Sequence, residues 1–385
     1  MMHRMGLSGL ALTGFLAAAL ALTLCDRSST FAAEPADSIK AILAVNHDGK
    51  GAAEAQQAVK GLSTAEATQL PAVLAAFKGA NPLAANYLRG VVETIADRTL
   101  RNGGKLPNAE LKKFIDDRGN DAKARSLAFD WLKQADKPLA ESLIPAMITD
   151  PSPDLRREAV ARLIKIGADA KEKADAVKAY EEAMAGAVDE DQVKDLVEKL
   201  KKHGKTIDLQ KHFGFLTKWH IAGPFDNKGL KGFATEYPPE KGVDLKAKYE
   251  GQLGEVTWTE ISTKEDYGIL DIAKDVKPYK GAVMYLTTDF TSDSKRLVEL
   301  RLGTPNAWKV WVNGKELFAR EEYHRGMAVD QYRVPAELKA GKNTILVKLC
   351  QNEQEQDWAQ RYQLQLRVCD PSGTAVPSND AVAAK

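Results

Sequence analysis

Two incompatible hydrophobic periods divide this chain, and that division constrains its fold more than any other feature. Ahead of residue 212, apolar residues recur at helical spacing; beyond it they alternate with period two. In 153–167, Leu155, Ala159 and Leu163, with Val160 and Ile164, fall on one helix stripe. In 297–302, Val298, Leu300 and Leu302 face one way while Glu299 and Arg301 face the other. Segments 345–349 and 362–368 alternate in the same manner. Residue usage follows the periods. Six aromatic residues lie between Glu34 and His212 and nineteen from Phe213 onward, whereas Ala runs 33 against 15. Ala favours helix, and aromatic side chains favour a half-buried strand face. The boundary falls at 205–214 (KTIDLQKHFG), with no Pro/Gly/Ser-rich linker, so the halves are expected to pack together.

The first half reads as successive helices over 83–101, 122–134, 139–149, 153–167, 170–187 and 190–203. Asp150-Pro151-Ser152-Pro153 breaks one helix and starts the next, because Pro is tolerated in a first turn. Gly167 is placed to end that helix. Residues 125–133 (RSLAFDWLK) align with 157–165 (REAVARLIK) at an offset of 32. Helix pairs at this period bury their apolar faces by stacking. The segment 137–167 (KPLAESLIPAMITDPSPDLRREAVARLIKIG) thereby resembles HEAT and armadillo-like repeats. That resemblance implies an α-solenoid; an irregular helical bundle is the alternative.

In the second half, strands that bury one face and wet the other imply an antiparallel β-sandwich, with about eight strands fitting a jelly roll. Asn313-Gly314 after WKVWV is a hairpin turn, since both residues tolerate positive φ. Val310-Trp311-Val312-Asn313-Gly314 and Leu338-Lys339-Ala340-Gly341-Lys342-Asn343 carry a resemblance to the galactose-binding-like sandwich, including that of family 2 glycoside hydrolases, over 280–369. The resemblance implies a shape; the family holds both carbohydrate binders and modules that only dock an enzyme domain. The expected organisation is a signal peptide at 1–33, a helical-repeat domain at 34–212, a galactose-binding-like β-sandwich at 213–370 and a disordered tail at 371–385. The fold class is thus multi-domain α and β.

Met1–Gly6 with His3 and Arg4, the uncharged apolar run 7–24, and the small residues Ala32 and Ala33 form the order of a secretory signal. A membrane anchor is the alternative; richness in Ala and Gly favours cleavage, leaving a start near Glu34 and no membrane span. Leu24 before Cys25 departs from a lipobox. Removing 1–33 leaves 52 basic and 52 acidic residues, a balance that argues against nucleic acid as partner. Only Cys350 and Cys369 remain, and one bridge between them is open to an exported chain. The expected location is periplasmic or extracellular.

No nucleophile elbow, His-Glu-x-x-His helix, Walker loop, Cys-x-x-Cys pair or Gly-x-Gly-x-x-Gly occurs, so no catalytic, metal or cofactor site is assigned. The densest polar cluster is Arg320-Glu321-Glu322-Tyr323-His324-Arg325. Glu321, Glu322 and His324 are of metal-ligand type and Tyr323 offers a stacking face, but a solvated loop is the commoner reading. Trp358, in 352–361 (NEQEQDWAQR), either stacks on a sugar ring or caps the sandwich core, and the core role is favoured. Trp308 shares a strand face with Val310 and Val312 and is read as core; Trp311 points the other way and is read as the more exposed aromatic. The candidate ligand-binding set is therefore Trp311, Tyr323, His324, Arg325 and Trp358. The expected function is an exported, non-enzymatic binding or scaffold protein. Its helical repeat would meet a protein partner, and its sandwich would bind glycan or dock a neighbouring domain. A carbohydrate-active hydrolase and a structural envelope component are the alternatives.

Overall fold

The computed structural model describes residues 34–46 and 48–379. The expected signal segment and residues 380–385 lie outside the described residues. The protein is a mixed helical and antiparallel-sheet chain. Through Phe213 it is helical; from Lys218 it is dominated by strands.

Helix starts follow the sequence signals. Asn81 caps Pro82–Arg101, Asp121 caps Ala122–Ala135 and Ser152 caps Pro153–Asp169, each side chain accepting an otherwise orphaned backbone N–H. Two expectations are corrected. The helix expected over 139–149 is Lys137–Leu143 followed by a 3₁₀ turn, Ile144–Met147, because Pro145 has no N–H to continue the ladder. Gly167 does not end its helix, which runs to Asp169. A Cβ there would sit 2.4 Å from the Tyr180 ring, so the glycine lets Lys173–Gly186 pack closely. The aligned arginines at the 32-residue offset do matching work. Arg125 forks onto Asp150 with two bonds of 2.7 Å, ahead of the helix at 153. Arg157 reaches Asp189 and Asp191, at the start of Glu190–Lys202.

Among the described residues, twelve strands follow: β1 Lys218–Asp226, β2 Lys248–Gly251, β3 Gly254–Thr257, β4 Thr259–Ser262, β5 Leu270–Asp271, β6 Ala282–Ser292, β7 Arg296–Gly303, β8 Ala307–Val312, β9 Lys315–Arg320, β10 Tyr332–Leu338, β11 Gly341–Gln351 and β12 Gln363–Cys369. Six form a sheet in the order β4-β1-β6-β11-β8-β9, and four form β10-β7-β12-β5. β2 and β3 pair only with each other. All pairs are antiparallel. The sheets share one core. Trp219, Leu286, Trp308 and Val347 from the larger sheet meet Leu300, Val334, Leu364 and Leu366 from the smaller. Asn313 (φ 52°) and Gly314 (φ 81°) turn β8 into β9. Asn343 is fully buried; its amide accepts from Lys339 N–H and donates to the Lys339 and Gly341 carbonyls, which closes the β10–β11 turn.

The halves are joined by a continuous core and by charge. Phe213 and Phe215 pack with Tyr180, Leu196 and Leu200 of the helices and with Tyr267 and Val329 of the strand half. Arg367, 1% exposed, grips Asp330 at 2.7 and 2.6 Å and donates to the Phe213 and Gly373 carbonyls. Arg301 takes the same Asp330 at 2.7 Å. Arg156 crosses from the helices to Ser372 and Thr374. Residues 371–379 are therefore not a disordered tail: Val376 is buried and donates to the Val368 carbonyl.

Because Arg367 and Asp330 are desolvated, Arg367→Met is expected to cost about 3–5 kcal/mol by urea unfolding. The exposed Arg157→Met should cost less than about 1 kcal/mol. Hydrogen bonds from Arg157 hold the Asp191 carboxyl down at about 2. Burial pushes Asp330 up, but Arg367 and Arg301 outweigh it and hold it below its ordinary value. For depressed carboxylates the stabilisation is complete above their unfolded value and fades as pH falls. Urea midpoints should therefore drop between about pH 4 and pH 2, and Asp191→Asn should flatten that drop.

Candidate functional site

The loop residues named from sequence meet at one end of the sandwich, where β1 and β11 finish and β6 and β8 begin (Asp226 and Gln351 pair with Ala282, Cys350 with Ala307). Buried amides build this end. Asn227, 0% exposed, donates to the Gln351 carbonyl at 3.0 Å and to the Tyr323 hydroxyl at 3.2 Å. Gln351 donates to the Ala359 and Arg361 carbonyls, and Asn306 also holds Arg361. Lys280 adds a bond to the Ala359 carbonyl. The 3₁₀ turn Asp357–Ala359 is thus tethered through a buried Ala359, while Trp358 stands 61% exposed.

His324 lies edge-on to Trp358, with ring centroids 5.1 Å apart and an interplanar angle of 89°. Its ring is set by Asn352, whose Oδ1 lies 2.7 Å from Nε2 and also accepts from Gln354 N–H. An oxygen there makes Nε2 the donor. His324 itself sits at φ 59°, a left-handed backbone that aims the ring at the Trp358 turn. Arg325 follows with an exposed guanidinium 3.4 Å from the Glu322 carboxylate. Tyr323 faces inward, and burial pushes its phenol up. Chemically, this end presents a rigid indole face rimmed by an imidazole edge, a guanidinium and an amide. Among the described residues, no group of three His, Cys, Asp or Glu side chains could hold a metal ion, so Glu321, Glu322 and His324 do not form one.

Trp311 does not join them. Expected on an open face, it is 4% exposed in a second apolar layer with Phe225, Val256, Trp258 and Tyr285. The outer face of the six-stranded sheet carries a cover, residues 227–258, whose Phe233, Tyr237, Val243 and Tyr249 pack on that layer. Lys348 fastens it. This lysine is 0% exposed, and its ammonium donates to the Phe233 carbonyl (3.2 Å), the Thr235 carbonyl (2.6 Å) and Glu240 (2.7 Å). Tyr285 donates its hydroxyl to the same carboxylate, and the Tyr237 and Tyr285 rings flank the ammonium. Three donors meet three acceptors, so the buried charge is satisfied.

The cysteine bridge left open by the sequence is absent. Cys350 lies in the outer layer on β11, whereas Cys369 on β12 donates to the Glu299 carbonyl at 3.7 Å in the opposite sheet. Burial pushes the Cys350 thiol up to about 12 and that of Cys369 up to about 11. Of the candidate set, the structure brings His324 and Trp358 together with Arg325 beside them, turns Tyr323 inward and buries Trp311. Sequence reasoning missed Asn227 and Asn352. Their only signal was an Asn immediately after a strand end.

No protein-family model matches the chain, and no curated protein matches it. Among solved structures, a β-glucosidase from Kluyveromyces marxianus aligns with TM-score 0.25 and 10% identity, over 43% of this chain and 17% of its own. An α-xylosidase of family GH31 from Xanthomonas citri aligns with TM-score 0.21 and 11% identity, over 40% and 18%. An anti-sigma factor domain-containing protein aligns with TM-score 0.21 and 13% identity, over 42% and 79%. Across these and a glucose-bound structure of the same β-glucosidase, the chain spans between 17% and 37% of the glycosidases' length. Among the described residues, no helix is long and apolar enough to cross a membrane.

Replacing Lys348 with Met strands Glu240 in a buried layer. It is expected to cost about 3–5 kcal/mol and to speed amide hydrogen exchange selectively in 227–258. Unchanged exchange there would show that Lys348 does not fasten the cover.

Proposed function

We propose that this is an exported, non-enzymatic binding protein whose sandwich recognises saccharide at the Trp358 end. The observation that carries the reading is the rigid display of an exposed indole beside His324 and Arg325. A pyranose has an apolar C–H face and a rim of hydroxyls. The Trp358 face suits the first, while the exposed Arg325 guanidinium suits the second. An exposed Trp on a tethered turn is already ordered, so little conformational freedom is lost on binding. In this reading the strand half is a galactose-binding-like jelly roll. The helices stack as a HEAT-like solenoid that offers its surface to a protein partner. The chain is cut near Glu34 on export to the periplasm or beyond.

Affinity electrophoresis against a panel of neutral polysaccharides tests the reading. The full chain should be retarded by at least one of them. Trp358→Ala should lose at least tenfold in affinity while keeping its urea midpoint, because the side chain is exposed. Equal retardation of both proteins, or of neither, would contradict it. Intact mass of protein recovered outside the cytoplasm should correspond to a chain starting near Glu34.

A further inference from the structure

At the opposite end of the same sheet the cover stops short, and a cleft of about 730 Å³ lies open on the outer face. The register shows why it forms. Glu260, His220, Thr287 and Leu346 stand in one cross-strand row on β4, β1, β6 and β11. Leu346 belongs to the covered apolar layer, whereas Glu260, His220 and Thr287 line the cleft. Asp289 and Thr344, paired across β6 and β11, extend its floor. Val243 and Leu245, from the edge of the cover, form an apolar wall. The outer face thus changes from aromatic and sealed to polar and open along a single strand. From Ala282 to Asp289, β6 advances roughly 23 Å at ~3.3 Å per residue, so the cleft and the Trp358 end are well separated.

The lining specifies the ligand. Its carboxylates are matched by cations: Asp289 accepts from Lys342 at 2.7 Å and from the Thr344 hydroxyl at 3.0 Å, and His220 lies 3.9 Å from Glu260. With Lys218 the lining holds two lysines against two acids, so it presents no net charge to a ligand when His220 is neutral. The Thr287 hydroxyl is buried and donates to the Ile345 carbonyl, whereas Ser262 offers an exposed hydroxyl to the cleft. Donors and acceptors are interleaved over a flat floor beside an apolar wall. Hydroxyl groups, each both donor and acceptor, match that pattern, whereas a polyanion does not. The volume lies in the range of small-molecule sites.

We infer that this cleft is a second binding site for a neutral oligosaccharide, which makes the sandwich bivalent. It shares its ligand class with the reading of the Trp358 end but rests on different residues. Two sites on one rigid domain raise avidity for a polymer without any added contact.

Isothermal titration of the full chain with maltohexaose, cellohexaose and xylohexaose, with an oligogalacturonate hexamer as charged control, tests the inference. At least one neutral hexamer should bind two per chain. The double variant His220→Ala/Glu260→Ala, at a half-buried and an exposed position, should bind one, and Trp358→Ala should bind one at the cleft. If the double variant keeps the wild-type stoichiometry and affinity while Trp358→Ala loses binding, the cleft inference is overturned and the Trp358 reading stands. Loss in the double variant with none in Trp358→Ala supports the cleft and overturns the Trp358 site. Tighter binding of the galacturonate than of every neutral hexamer, abolished in the double variant, overturns the ligand class. Binding of no hexamer overturns both sites.

Discussion

The outer face of the larger sheet depends on one buried ion pair, Lys348 with Glu240. A lysine in mid-strand on an apolar face would be costly if left alone. Here its ammonium is saturated by two carbonyls and a carboxylate contributed by the cover. The pair therefore selects which chain segment lies on the sheet and where. With it in place, Phe233, Tyr237 and Tyr249 seal the aromatic half around Trp311. The polar half beyond Thr287 stays open. The cleft takes its limit from that cover, through Val243 and Leu245.

A second set of buried charges fixes the frame. Arg367 and Arg301 converge on Asp330, and Arg367 also reaches back to the Phe213 carbonyl at the end of the helix Leu209–Phe213. Arg156 ties the helices to Ser372 and Thr374. Such groups add specificity of docking more than net stability, because desolvation offsets much of their attraction. A surface presented by the helices and a ligand on the sandwich would then be held in a fixed relation.

Much of this architecture was legible from periodicity. The alternation of Val298, Leu300 and Leu302 places these residues in the shared core, and Asn313-Gly314 turns β8 into β9. Both are local rules, set by a period of two and by tolerance of positive φ. What was not legible depended on contacts distant in sequence. Trp311 alternates to the outer face as its spacing implies, yet that face is roofed by residues some fifty to eighty positions earlier. From sequence, a lone loop Trp such as Trp358 reads as a cap on the core. Its exposure follows from Gln351 and Lys280 anchoring the neighbouring Ala359. The cleft was invisible because its residues come from four strands and carry no common motif. Segment 371–379 looks like a tail in composition, and only Arg156 and Val368 reveal its docking.

The central claim is that the Lys348-fastened cover stays on the sheet while ligand binds outside it. A crystal structure of the full chain with a neutral hexasaccharide tests this most directly. The account predicts a sugar ring stacked on Trp358, with residues 227–258 in place and Trp311 still buried. A sugar seated on Trp311, with the cover displaced and Lys348 parted from Glu240, would contradict it.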